Sequence, residues 1–86
     1  MEEKLIGKIT HYYGRLGVGI IELSDALNVG DTIHIKGHTS DLTQQISSMQ
    51  IEHADVNEAK IGDLVGIKVD QKVHENDAVY KVMGPS

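Results

Sequence analysis

The chain contains no cysteine. That removes disulfide staples, thiolate metal ligands and a thiol nucleophile from consideration at once. Tryptophan and phenylalanine are also absent, and tyrosine occurs three times. A core built without them is aliphatic, and its isoleucine and valine suit strands better than helices. Proline occurs once, at Pro85, so no proline-rich linker interrupts the sequence. No apolar run approaches the roughly 20 residues that a membrane-spanning helix needs. The opening Met1-Glu2-Glu3-Lys4 has no apolar stretch after a basic one, so it does not read as a secretory leader. These absences lead to the expectation of a cytoplasmic protein with no membrane partner.

Basic residues are also in deficit. Thirteen acidic residues against eight basic ones give a formal charge of −5. Strong non-specific nucleic-acid binding needs clustered lysine and arginine, so it is disfavoured, although a local basic patch remains compatible with the balance. The 86 residues are read as one domain, 1–86. A chain of this size buries only about 60–65% of its unfolded surface, which implies modest stability.

What the chain does have is a repeated turn. Val29-Gly30-Asp31 leads into Thr32-Ile33-His34-Ile35-Lys36, in which Ile33 and Ile35 alternate with polar residues as on a half-buried strand. Ile61-Gly62-Asp63 leads into Leu64–Val69, and Glu75-Asn76-Asp77 into Ala78–Val82. Gly30 and Gly62 accept a positive φ without steric cost, and Asn76 is the residue type next most tolerant of it. Asp31, Asp63 and Asp77 are placed to hydrogen-bond nearby backbone and fix each turn's exit. The spacings differ, so this is one local solution used three times and not a sequence repeat.

In chain order, Lys4–Tyr13 reads as a strand in which Gly7 allows a bulge or a close backbone approach. Gly14-Arg15-Leu16-Gly17 is a hairpin loop and Val18–Leu23 the return strand. Residues 24–28 form a loop or one helical turn. His38-Thr39-Ser40-Asp41 is a polar connection. Leu42–His53 is ambiguous: Leu42, Ile46 and Met49 would share a helix face, while a strand bulged near Ser47-Ser48 fits as well, and the neighbouring strands favour the latter. Ala54–Lys60 reads as a polar loop with Val56 and Ala59 turned inward, followed by strands Leu64–Val69 and Ala78–Met83. Six short strands joined by turns predict an all-β, single six-stranded closed antiparallel Greek-key-like barrel, because closure removes exposed edges.

Four spaced segments carry a family resemblance. They are Val29-Gly30-Asp31-x-Ile33-x-Ile35-x-Gly37, Ile46-x-Ser48-Met49-Gln50-Ile51, Ala59-x-x-Gly62-Asp63-x-Val65-Gly66-Ile67 and Asn76-Asp77-x-Val79-Tyr80. Together they resemble the second domain of translational GTPases such as elongation factor Tu, over essentially Ile6 to Val82. The resemblance implies the barrel of that domain and a module acting in translation, with tRNA or a translation-related protein as partner. The phosphate loop of the GTPase domain is missing, since Gly7-Lys8 is followed by Ile9 and preceded by no matching glycine. No GTP is therefore expected to bind to this chain alone, and no cofactor is implied.

Several residues invite chemistry. His11-Tyr12-Tyr13-Gly14-Arg15 sets two aromatic rings beside a guanidinium, a combination that stacks on bases or grips a peptide. Tyr12, Tyr13, Arg15, Lys8 and Lys36 are the candidate binding residues, with the plainer alternative that one tyrosine belongs to the core. His34 and His38 fall on one strand face, but two histidines without a third ligand make a poor zinc site, and a solvated face is the simpler reading. Gly14-x-x-Gly17-x-Gly19 is reversed relative to the dinucleotide fingerprint and is read as hairpin glycine. No paired carboxylates and no Ser/His/Asp pattern can be defended from spacing. The expectation is thus a non-catalytic, translation-related RNA-binding module and not an enzyme. The alternative is a protein-interaction module that docks on another polypeptide or adds a strand to it.

Overall fold

A computed structural model describes residues 2–83 of the chain. Pro85 lies outside the described residues. Ten strands form: β1 (Glu2–Tyr13), β2 (Val18–Leu23), β3 (Leu27–Asn28), β4 (Thr32–Lys36), β5 (Asp41–Gln45), β6 (Met49–Ile51), β7 (Ala54–Val56), β8 (Glu58–Ala59), β9 (Leu64–Lys68) and β10 (Ala78–Met83). Eight of them make one antiparallel sheet in the order β5-β4-β10-β1-β2-β9-β6-β7, and β3 pairs with β8 as a separate ribbon. The fold is all-β, and none of the described residues forms a helix long and apolar enough to cross a membrane.

Alternation decides the core. Ile33 and Ile35 on β4, Val65 and Ile67 on β9, Ile21 and Leu23 on β2 and Val79 on β10 all turn inward and are buried. Ile6 and Ile9 are both inward although they lie three apart on β1. The ladder registers explain this, because they slip between Leu5 and Gly7 against β10 and between Ile9 and His11 against β2. Each bulge resets the alternation. A Cβ on Gly7 would run into the carbonyl of Glu22, so glycine is needed where β1 and β2 approach. Full burial of an aliphatic side chain contributes about 1.5–3 kcal/mol, so this inward set is the main stabilising term.

The three aspartate turns share one geometry. Gly30, Gly62 and Asn76 have φ of 98°, 89° and 73° at the third position, as a type II turn requires. In each, the aspartate N–H donates to the carbonyl three residues back: Asn28 at 3.0 Å, Lys60 at 3.0 Å and His74 at 3.2 Å. Its carboxylate in turn accepts the N–H of that same residue, at 2.8, 3.0 and 2.8 Å. Asp77 is the buried copy, at 5% exposure, and a Cβ on Gly37 would collide with its carboxylate.

The expected six-stranded closed barrel is corrected in two respects. The segment 42–53 is two strands, β5 and β6, and the polar loop 54–60 contains β7 and β8. The sheet also has two ends, at β5 and β7, so strand pairing does not close it. Individual hydrogen bonds fasten the β5 edge instead, to the end of β9 and to the turn before β4. The Gln44 carboxamide donates to the Lys68 carbonyl at 2.7 Å and accepts the Asp70 N–H at 2.9 Å. Gly30 N–H donates to the Ile46 carbonyl, and Ile46 N–H to the Asp31 carbonyl, both at 2.8 Å. Ile46 itself is buried, so its peptide groups need these partners.

The turn geometry makes a prediction. Asp77→Ala removes a buried acceptor and strands the His74 N–H, at a cost of about 1–3 kcal/mol. Asp63→Ala, at a more exposed copy, is expected to cost about 0.5–1.5 kcal/mol. Urea unfolding of the two variants checks the order.

Candidate functional site

The sequence candidates are dispersed. Lys8 and Lys36 both stand opposite Ala78, in one row across β1, β10 and β4. Tyr12, Tyr13 and Arg15 lie at the far end of β1 and in the loop after it, so the five residues make no single patch. Tyr12 packs against the core, while Tyr13 is exposed and its ring lies 4.3 Å from that of His11. Among the described residues, no group of three or more histidine or carboxylate side chains is arranged to hold a metal ion.

A surface groove takes in Tyr13 and none of the other candidates. On the outer face, Val18, Ile20 and Glu22 of β2 lie opposite Lys68, Gly66 and Leu64 of β9. Gly66 leaves a floor over which Ile20 and Val18 lean, their methyl carbons 3.4 and 3.5 Å from where a Cβ would stand. Leu16 from the β1–β2 loop borders one end, and the β6–β7 hairpin tip, Glu52-His53, borders the other. The groove encloses about 490 Å³, within the ~300–1,000 Å³ range of ligand-binding clefts. Leu16 and Leu64 are 63% and 53% exposed, more than aliphatic side chains gain from in water. A second hollow is lined by Leu5, Lys8, Glu22, Leu23 and Ile61, and Leu5 and Ile61 add to the exposed apolar surface.

The hairpin tip is conformationally costly. Ile51 pairs with Ala54, leaving a two-residue loop in which Glu52 and His53 have φ of 52° and 66°. Positive φ at both positions is a type I′ turn, whose usual occupants are Asn-Gly. The left-handed conformation costs an ordinary L-residue about 1–2 kcal/mol.

Ser40, His74 and Asp77, far apart in sequence, come together. In a hydrolytic relay the imidazole bonds the nucleophile through one nitrogen and the acid through the other. Here Ser40 Oγ lies 2.9 Å from His74 Nδ1, and Asp77 Oδ2 lies 3.8 Å from that same nitrogen. Turning the ring over would present Cδ2 and not Nε2. Ser40 is only 4% exposed, which shuts its hydroxyl from a substrate. The trio ties the 37–40 loop to the 74–77 turn.

His34 is held by two acids. Its Nδ1 lies 2.8 Å from Glu3 Oε2 and its Nε2 lies 2.5 Å from Asp41 Oδ1, so the ring links β1, β4 and β5. The Asp41 hydrogen bond raises the imidazole pKa above its ordinary value; Glu3 adds to the rise through its own bond and charge, and partial burial opposes it.

No protein-family model matches the chain. A protein of Methanocaldococcus jannaschii named as an uncharacterized protease is 43% identical over 76 residues, which is 87% of this chain and 19% of that protein. The chain therefore spans about a fifth of its relative's length. Among solved structures, the C-terminal domain of a candidate U32 peptidase of Geobacillus thermoleovorans superposes with a TM-score of 0.87. It is 18% identical, with 93% of each chain covered. The selenomethionine form of that domain superposes at 0.84, covering 88% of this chain and 96% of the other. The fold is that of this peptidase C-terminal domain.

These relatives correct the functional expectations. The similarity lies with proteins named as protease and peptidase, not with translational GTPases, so the elongation-factor resemblance is overturned. The translation and RNA-binding role falls with it, and the tRNA and translation-protein partners lose the resemblance that motivated them. The expectation that the chain is not an enzyme is corrected by the same names, those of a protease and a peptidase. The physical reason is that the quoted segments are made mostly of aspartate turns and inward aliphatic positions. Those residues specify a strand-and-turn framework and carry no ligand chemistry.

The His34 clamp has a pH signature. A folded-state pKa above the unfolded one adds stability that is full below about pH 6.5 and is lost as pH rises through the folded value. Thermal melts between pH 6 and 9 are expected to show this loss in the wild type, and His34→Gln to flatten it.

Proposed function

We propose that the chain works in peptide-bond hydrolysis as the β-domain of a U32-type peptidase, and that its outer-face groove holds the polypeptide substrate. The observation that carries this reading is the groove itself: an apolar floor at Ile20 and Gly66 between the exposed Leu16 and Leu64. An unfolded polypeptide offers apolar side chains that a folded protein hides, and such a surface removes them from water. The protease name of the 43%-identical relative supports the reaction class. The peptidase C-terminal domain of the same fold supports the role as one part of a larger enzyme.

Fluorescence anisotropy with labelled, reduced and carboxymethylated lactalbumin tests the reading. Saturable binding is expected, and folded lysozyme is expected not to compete. Leu16→Ser/Leu64→Ser is expected to weaken binding at least about tenfold with little change in melting temperature, because both side chains are exposed and one lost apolar contact is worth roughly a decade. Unaltered binding by the double variant would remove the groove from the account.

A further inference from the structure

The second hollow adjoins the groove across a single residue. Glu22 stands opposite Leu64 of the groove on the β2–β9 ladder, and opposite Lys8 of the hollow on the β1–β2 ladder. It forms the ridge between the two. Leu5 and Ile61, 54% and 70% exposed, wall the hollow, while Gly7 and Ala78 contribute no side chain longer than a methyl group. The hollow encloses about 480 Å³, close to the 490 Å³ of the groove. Two apolar depressions of one size thus lie side by side.

Strand spacings fix how far apart they are. The groove is centred on the Ile20–Gly66 pair and the hollow on Gly7, which pairs with Leu23. The step from Ile20 to Leu23 is about 10 Å along β2, and the crossing from the β2–β9 seam to β1 adds roughly 7 Å sideways, so the centres lie about 12 Å apart. In an extended polypeptide, side chains on one side recur about every 7 Å, which puts residues i and i+4 about 13 Å apart. The ridge is polar where such a chain is polar. Between its two anchors an extended segment presents peptide N–H and C=O groups, and Glu22 can accept from the first while Lys8 donates to the second. Among the described residues neither side chain is held in an ion pair.

Resting on the reading that the groove holds polypeptide, we propose that the hollow is a second subsite of the same surface, and that the segment bound is extended with aliphatic residues at i and i+4. One side chain sits over Gly66 between Ile20 and Leu64. The other sits over Gly7 between Leu5 and Ile61. The peptide groups between them lie along Glu22 and Lys8. A simple alkyl chain would leave that ridge unpartnered, and this singles out polypeptide as the occupant.

Amide chemical shifts of the nitrogen-15-labelled protein, titrated with capped serine-rich decapeptides, test this. One peptide carries a single leucine, one carries two adjacent leucines, and one carries leucines four positions apart. The last is expected to bind about tenfold more tightly than the first, because a second leucine leaves water. It is expected to move the signals of Leu5, Lys8, Leu23 and Gly62 together with those of Leu16, Ile20 and Gly66. Adjacent leucines point to opposite sides of an extended chain and are expected to gain less than about threefold. Leu5→Ser/Ile61→Ser is expected to bring the four-apart peptide down to the affinity of the single-leucine peptide. The shift map is read on the wild type, so it decides the question even where the double variant unfolds. Shifts confined to the groove, with the four-apart peptide no tighter than the single-leucine one, overturn the second subsite and leave the polypeptide reading standing. No shift at either depression with any peptide overturns both. Signals of Leu5 and Gly62 that move when the free protein is diluted place a second copy on the hollow and overturn the proposal.

Discussion

The interaction on which this structure depends is the bond from an aspartate carboxylate back to the N–H of the residue that opens its own turn. It occurs at Asp31, Asp63 and Asp77, each time closing a turn whose third residue has a positive φ. A side-chain period of two leaves no tolerance for a one-residue slip, since a slip exchanges the buried face for the wet one. The carboxylate fixes where β4, β9 and β10 begin, and so fixes which of their residues face inward. Ile33 and Ile35, Val65 and Ile67, and Val79 are buried as a consequence. Leu64, Gly66 and Lys68 face outward for the same reason, and the groove is lined by the first two of them.

Much of this framework is legible in the residues. Gly-Asp and Asn-Asp followed by alternating aliphatics announce β4, β9 and β10, and the glycine-flanked loop at 14–17 announces the β1–β2 hairpin. The stretch from Leu42 to Lys60 is not legible in the same way. Its strands are two to five residues long, too short for a period to establish itself, and Ile46 points inward from a position outside any strand. The hairpin at 52–53 hides for a related reason. Its turn type is signalled by Asn-Gly, and Glu-His carries no such signal. The fastening of the β5 edge to Lys68 and Asp70 by the Gln44 carboxamide cannot be inferred from composition, because a glutamine standing in for a strand's backbone looks like any exposed glutamine.

The proposed binding surface is harder to read than the fold. Tyr12-Tyr13-Gly14-Arg15 stands out in the sequence because aromatic and cationic residues adjoin there. The structure turns Tyr12 toward the core and leaves only Tyr13 in the groove. The rest of the groove comes from β2, β9 and the β6–β7 tip, which the ladder joins and the chain order separates. The elongation-factor resemblance drew chiefly on residues of the framework, the turn aspartates and inward aliphatics, and met this surface only at Gln50 and Gly66. A likeness confined to such positions carries over folding requirements and no function.

The central claim is that this β-domain holds polypeptide in the groove between the β1–β2 loop and the β6–β7 tip. Hydrogen–deuterium exchange, followed by mass spectrometry with and without an excess of unfolded casein, tests it most directly. The account predicts slowed exchange in residues 49–56 and 64–68, with β4 and β5 unchanged. Protection confined to β4 and β5, or none at saturating casein, would contradict it.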